Sequence, residues 1–343
     1  MLASNELTVV VQGPVFGSGA EPAEERLTER AIQSIRRNLP GAEVVLSTWE
    51  GADVRGLAPD VTLFNRDPGV FVHQFKKSRL DNNVNRQIVS TLAGIRAATR
   101  PHVLKLRSDC EINHPGFLRY WKKYQERAPE LTVFENRIVS GELFARDPVL
   151  VSYLYHPSDV FHFGTQGDML RLWDIPLAPA AETVAWREKC ENRPWYDKRW
   201  PTVRYVPEQY LWIAALRKAG YSDALDYCQQ MSRPMLQRSE LSIVNNFAII
   251  PERSLGLVVP PRFGRLGSRE TYSHAIWRRL LKIHVESHDA KAIAKRIQMI
   301  LKIDRFKLFK HVRATLVNHA HGYIHAALGR TAKKPSPLDW YEQ

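Results

Sequence analysis

Two carboxylates separated by one residue, Asp109 and Glu111, close a short apolar run and supply the first candidate chemistry in this 343-residue chain. In an extended segment residues two apart project from one face. The pair would then share a divalent cation, Mg²⁺ or Mn²⁺, able to hold a diphosphate. A solvated turn or a helix cap would use the same residues. Lys105 and Arg107 fall on the same side if the strand continues, as salt-bridge partners or as holders of phosphate oxygens without a metal. Asp81-Asn82-Asn83-Val84-Asn85-Arg86-Gln87 crowds amides and an arginine into one helix start. Free N–H groups and the helix dipole favour anions there, and Asn85 and Gln87 suit a base or ribose. Capping by Asp81 or Asn82 would account for two of these residues but not for all. Gln12-Gly13-Pro14 permits close backbone approach to a ligand, and equally makes a plain turn. Ser47-Thr48-Trp49-Glu50-Gly51 offers a ring for stacking and an acid for ribose hydroxyls, or a buried Trp closing a sheet edge. Ser158-Asp159-Val160-Phe161-His162-Phe163-Gly164 and Gly167-Asp168-Met169 set acids among aromatics and glycines, as a sugar-binding loop or a packed hairpin does. Pro207-Glu208-Gln209 puts a glutamate in a first helical turn, where dipole complementarity alone would also place one.

These clusters sit at the ends of predicted elements. Leu7 to Val11 is a β-branched run ending at Gln12-Gly13-Pro14, the pattern of a strand and a turn. Within Glu24 to Leu39, Leu27, Ala31, Ile35 and Leu39 recur at four-residue spacing before Pro40-Gly41, which predicts a helix returning across a sheet. Glu43 to Ser47 and Val61 to Asn65 are further strands. Asp81 is placed to cap a helix over Asn82 to Thr99, with Val84, Ile88, Leu92 and Ile95 on one face. Val103 to Leu106 reads as the next strand and runs into Arg107-Ser108-Asp109. A helix is expected over Pro115 to Arg127, short strands near Leu131 to Val139, and a helix beginning near Pro207, after a Trp- and Pro-rich stretch from Trp173 to Pro201. This alternation predicts an α/β fold with an open, mainly parallel sheet and flanking helices, binding ligands beyond the carboxyl ends of its strands.

Composition narrows the class further. The chain is 44% hydrophobic and 25% charged, as soluble globular proteins are. No stretch approaches the roughly 18 apolar residues of a membrane span, and Met1 to Glu6 is too short and polar for a signal peptide, so the chain is expected in the cytoplasm. Cys110, Cys190 and Cys228 lack disulfide-framework or zinc spacing and are expected as reduced thiols. The net charge of +13 is concentrated: Met1 to Pro261 holds 32 Lys and Arg against 30 Asp and Glu, whereas Arg262 to Lys334 holds 17 against 4. A boundary at Pro260-Pro261 therefore divides residues 1–260 from a basic helical region, 261–343. There, Ile276, Trp277, Leu280, Leu281 and His284 share one helical side, with Arg278, Arg279 and Lys282 among them. Ala290 to Ile303 repeats the idea, with Ile293, Ile297, Ile300 and Leu301 against Lys291, Lys295, Arg296 and Lys302. Such helices lie on an anionic membrane surface, each cation contributing about 1 kcal/mol, or pack their apolar stripes on the preceding domain.

Taken in order, several words resemble the WavE lipopolysaccharide-synthesis family: Val9-Val10-Val11-Gln12-Gly13-Pro14-Val15, Ser34-Ile35-Arg36, Leu46-Ser47-Thr48-Trp49-Glu50-Gly51, Asn85-Arg86-Gln87 with Ser90-Thr91, Leu104-Lys105-Leu106-Arg107-Ser108-Asp109, Ser158-Asp159 with Phe163-Gly164, and Glu208-Gln209-Tyr210. The similarity covers about residues 7 to 260. It implies a glycosyltransferase of the GT-A class, in which a strand-end acid-x-acid motif follows a nucleotide-binding helix. Arg86 precedes Asp109 by 23 residues, a spacing compatible with that order. By this resemblance Asp109 and Glu111 hold a metal or the donor, while Gln12, Trp49, Glu50 and Arg86 line the nucleotide pocket; Gly13, Pro14, Asn85, Gln87 and Arg107 are expected in the donor site beside them. Asp159, Gly164 and Asp168 meet the acceptor, and Glu208, or else Asp159, acts as base. Asp-Cys-Glu departs from the usual pair of aspartates, and the neighbouring cations Lys105 and Arg107 would make a metal dispensable.

The implied partners are a nucleotide-sugar donor, a lipid-linked or oligosaccharide acceptor of lipopolysaccharide or capsule assembly, and an anionic inner-membrane surface contacted peripherally. Three other classes compete. A nucleic-acid-binding protein would use the basic region, but no recognition module is visible there and the acid-lined strand ends repel phosphate unless a cation is present. A dinucleotide enzyme would show GxGxxG after the first strand, and none follows. A noncatalytic scaffold of the same fold would keep the core without the chemistry.

Overall fold

The computed structural model describes residues 2–17, 25–75, 78–183, 203–264, 271–286, 290–298 and 300–301. β1 (Leu7–Gln12), α1 (Leu27–Asn38), β2 (Glu43–Trp49), β3 (Val61–Asn65), the hairpin β4 (Phe71–Phe75) and β5 (Ser78–Asn82), α2 (Val84–Ala97) and β6 (His102–Arg107) follow in order. Then come β7 (Glu111–Ile112), β8 (Ile138–Gly141), β9 (Phe161–Thr165), α3 (Gln166–Trp173), α4 (Pro207–Lys218), α5 (Arg233–Asn246) and β10 (Phe247–Ile250). The short α6 (Glu252–Leu255), β11 (Leu257–Val258) and α7 (Pro261–Gly264) precede α8 (His274–Leu281).

Seven strands form one sheet in the order β10-β8-β9-β6-β1-β2-β3. β3, β2, β1 and β6 are mutually parallel, as are β8 and β10, whereas β9 runs antiparallel to both β6 and β8. The reversal matters for function. It brings the amino end of β9, preceded by Asp159, to the same edge as the carboxyl ends of β1 and β6. β1 is buried along its whole length, as expected of a parallel strand covered on both faces. Val9 and Val11 enter one core beside Ile32 and Ile35 of α1, and Val10 enters the other beside Val84, Ile88 and Ile95 of α2. Gly94 lets α2 lie close on the sheet, since a Cβ there would stand 2.2 Å from Val10 Cγ1.

Several elements differ from expectation. Pro115 to Arg127 forms only a short 3-10 turn, Gly116–Tyr120, because no continuous apolar stripe supports a longer helix and Lys122 adopts a positive φ of 56°. Strand near residues 131–139 is confined to β8. Asp81 does not cap α2. It belongs to β5 and pairs with Arg79, while Asn82 Oδ1 accepts from the Val84 amide at 3.0 Å.

Beyond Pro260-Pro261 the described residues pack onto the sheet domain. Trp277, Leu280 and Leu281 of α8 lie in the core with Tyr272, and Ser273 caps the helix. Arg296, expected among the surface cations, is 4% exposed and bonds to Asp147 and Glu240. Lys282, Lys291 and Lys295 are exposed. Residues 302–343, which carry Lys302 and the rest of the basic run, lie outside the described residues, as does Cys190. Cys110 and Cys228 are buried.

Candidate active site

The carboxyl edge of β6 ends in Arg107 and turns at once. Cys110 N–H bonds to the Arg107 carbonyl at 3.0 Å, so residues 107–110 form a turn instead of the extended segment expected of an acid-x-acid strand end. That geometry separates the two carboxylates by partner. Asp109, whose side chain is fully buried, accepts both prongs of the Arg107 guanidinium at 3.0 and 2.9 Å and also accepts from Arg262. Glu111, at the start of β7, is turned to Arg30 of α1. Burial pushes the Asp109 carboxyl up, but Arg107 and Arg262 outweigh it and hold the group below its ordinary range. Among the described residues no group of three or more His, Cys, Asp or Glu converges. With each carboxylate already bound to its own guanidinium, Asp109 and Glu111 do not fit a shared divalent cation.

The loop before β9 closes the other side of this edge. Lys105 is wholly buried in β6 and donates to the Asp159 carbonyl, while His162 Nε2 lies 2.6 Å from the Ser158 carbonyl. These two side chains, opposite each other across β6 and β9, hold consecutive carbonyls of the loop that carries Asp159. Burial lowers Lys105 to about 8 and His162 to about 3. Glu208 stands in the first turn of α4, behind Pro207, with 17% of its side chain exposed and its carboxylate 3.4 Å from His156 Nε2. Burial lowers His156 to about 3, so the imidazole is neutral and the contact is no ion pair. Burial first, and the Asp159 carboxylate second, raise Glu208 above the ordinary carboxyl range, against the opposing pull of Arg146 and Arg107. A guanidinium–carboxylate pair and a second carboxyl with raised proton affinity thus share one sheet edge, the environment that acid–base sites require.

The family model for WavE lipopolysaccharide synthesis matches residues 7–309. The chain belongs to that family. No curated protein matches it. Membership associates this WavE chain with lipopolysaccharide synthesis.

Other expected site residues of the WavE chain divide by position. Gln12 ends β1 beside Arg107, and its Oε1 accepts from Ser90 of α2 at 2.8 Å. Gly13 has φ 123°, and a Cβ there would meet Ser108 Oγ at 3.0 Å, so this turn requires glycine. Ser108 Oγ in turn donates to the Pro14 carbonyl at 2.6 Å. Trp49 ends the neighbouring β2 and the exposed Glu50 follows it. Those residues form a continuous edge. Arg86 instead pairs with Asp67 after β3, Asn85 exchanges two hydrogen bonds with the Ala178 backbone, and Gln87 donates to Asn83. Their side chains serve the framework around α2.

Gly164 and Asp168 require a correction. Because β9 is antiparallel, Gly164 lies opposite Val103, toward the amino edge of β6, and α3 begins at that far edge. A Cβ on Gly164 would sit 3.3 Å from Ile138, a packing reason for glycine. Asp168 is fully buried, accepting from the Glu135 and Asn136 amides at 2.7 and 3.0 Å and pairing with Arg171. Neither faces the site. Conversely, Arg262 and His156 enter it without having been singled out in the sequence. The His156 ring, in the Tyr155-His156-Pro157-Ser158 run just before Asp159, was the more recoverable of the two.

Proposed function

We propose that the chain is a GT-A-type glycosyltransferase that moves a sugar from a nucleotide-activated donor to a hydroxyl of a growing lipopolysaccharide or capsular acceptor. The observation that carries this reading is the meeting of the Arg107–Asp109 pair with Glu208 and Asp159 at one sheet edge. Sugar transfer needs a cation where negative charge develops on the departing phosphate and a base where the acceptor hydroxyl loses its proton. In the inverting form, Glu208 takes the hydroxyl proton as that oxygen bonds to the anomeric carbon. The bond from this carbon to the phosphate oxygen breaks, and Arg107, aimed by Asp109, receives the charge on the phosphate. A raised carboxyl is the stronger base, which suits Glu208 to the proton transfer. Gln12, Gly13, Trp49 and Glu50 supply the adjoining edge for the nucleotide. Incubation with a panel of nucleotide sugars and a lipid-linked acceptor should increase the acceptor mass by one sugar residue and release one nucleotide, both read by mass spectrometry. Absence of product with every donor, together with no nucleotide binding by the folded chain, would overturn the proposal.

A lipid-linked acceptor places the reaction at a membrane, and we extend the proposal to peripheral association on its cytoplasmic face. No helix among the described residues is long and apolar enough to cross a membrane. Exposed Lys282, Lys291 and Lys295, with the further cations of the carboxyl-terminal sequence, suit an anionic leaflet. Liposomes containing anionic lipid are expected to sediment the protein, less so as salt rises, because exposed charges are screened over about 8 Å at physiological ionic strength. Changing these three lysines to Gln should weaken sedimentation while sparing transfer to a short soluble acceptor. Arg296 is kept out of this set because it is buried in an ion network. Equal sedimentation with neutral and anionic liposomes would remove the electrostatic part.

A further inference from the structure

Arg262 lies outside the strand-end motifs, yet its guanidinium reaches the carboxylate at their centre. It rises from α7, 153 residues along the chain from Asp109. Its cationic carbon sits 5.4 Å from the centre of the Phe16 ring and 5.0 Å from that of Phe263, whose ring also lies 4.9 Å from the Arg107 guanidinium. Phe16 belongs to the loop after β1, stitched to the β6 edge by the Ser108–Pro14 bond and to α1 by the Phe16 amide and Thr28 Oγ1 at 2.9 Å. Arg262 therefore spans the gap between the first strand-end loop and the β6 turn.

Charge balance gives this contact a meaning. Asp109 is already neutralised by two bonds from Arg107, so the second guanidinium leaves the trio one positive charge in excess. The excess is not sealed in the core: 47% of the Arg262 side chain is exposed, against none of Asp109. A guanidinium carries five N–H donors, more than the contact with Asp109 uses, and its fork suits a bidentate oxyanion. A carboxylate shared with Arg107 is a weaker partner than a phosphate carrying its own charge and several acceptor oxygens.

Resting on the transferase reading above, we infer that Arg262 is a donor-phosphate-binding residue, which exchanges its contact with Asp109 for the phosphate of the bound nucleotide. Arg262 and Arg107 then grip one phosphoryl group from opposite sides of the β6 turn, and α7 is part of the donor site. A purely structural strap between α7 and the β6 turn is the competing reading, and it makes a different prediction. Its removal would lower stability without distinguishing ligands by their phosphates.

The test uses the full chain and calorimetric titration with ribonucleoside monophosphates, ribonucleoside diphosphates and the corresponding nucleosides. For whichever nucleotides bind the wild type, Arg262→Gln is expected to weaken binding at least tenfold while nucleoside binding stays within twofold. Arg262→Lys, which keeps the charge but loses the fork, should fall between them and guards against a misfolded Gln variant. Melting temperatures of both variants without ligand report the structural contribution separately. Nucleotide affinity unchanged in folded variants, or equal losses for nucleotide and nucleoside, would overturn the role of Arg262 and leave the transferase reading standing. A wild-type chain that binds none of the nucleotides would overturn the role of Arg262, and if it also yields no product with any donor it would overturn the transferase reading too.

Discussion

Glu208→Gln is expected to lower kcat by about 10²- to 10⁴-fold, the range supplied by a positioned general base, while donor affinity by calorimetry stays within a few-fold. The substitution keeps the shape of the side chain beside His156 and removes only the capacity to take a proton. The wild-type pH profile should carry the same signature. Glu208 must be ionised to act, and burial together with Asp159 raises it above its ordinary value of 4.5, so the rate should climb with pH on the alkaline side of the usual carboxyl range. The residual rate of the Gln variant should lack that limb. Stability changes in the opposite direction. A carboxyl raised in the folded state favours folding fully below its unfolded value, and loses that contribution as pH rises through the folded value. The Gln variant should therefore hold its melting temperature better than wild type as pH increases. Lost donor binding with a normal rate at saturation would place Glu208 in the donor site. A retained limb in the variant would transfer the base role to Asp159.

The sequence was most informative where local pattern and tertiary role coincide. The Leu7–Gln12 strand and its Gly13 turn were legible because a β-branched run can be buried on both faces and its carboxyl end must turn. The α1 stripe was legible because Ile35 and Leu39 enter one core and Ala31 is buried as well. The acid-x-acid reading required the strand to continue past Arg107, and one backbone bond from Cys110 prevents it. Gly164 and Asp168 lie in a run whose acids, aromatics and glycines suit a sugar-binding loop, and nothing local in it gives the strand direction. The direction of β9 is a tertiary property, and its reversal sends them to the opposite edge while delivering Asp159 to the site. Arg296 and Arg262 show the same limit in the basic region. One is buried in an ion network and the other reaches Asp109, although neighbouring cations such as Lys295 have the same local composition and face water.

Asp109→Asn is expected to cut turnover at least tenfold, about 1.4 kcal/mol in the barrier, even when rates are normalised to folded protein. The carboxylate now accepts two bonds from Arg107 and a third from Arg262. An amide has one acceptor oxygen and turns N–H donors toward a guanidinium, so Arg107 loses the partner that fixes its plane. Destabilisation of about 1–3 kcal/mol should accompany this, because removing one side of a buried charged hydrogen bond strands the other. Turnover is therefore to be measured well below both melting temperatures. Arg107→Lys separates the two effects, since it keeps a charge beside Asp109 but cannot form the fork, and should also be slow. Chelation then decides what the carboxylates hold. With Asp109 bound to arginines and Glu111 turned to Arg30, EDTA should leave wild-type turnover within twofold. Loss of turnover in EDTA with recovery in Mn²⁺ would put a cation between the carboxylates and overturn this arrangement, whereas wild-type turnover in a folded Asn variant would remove Asp109 from the mechanism.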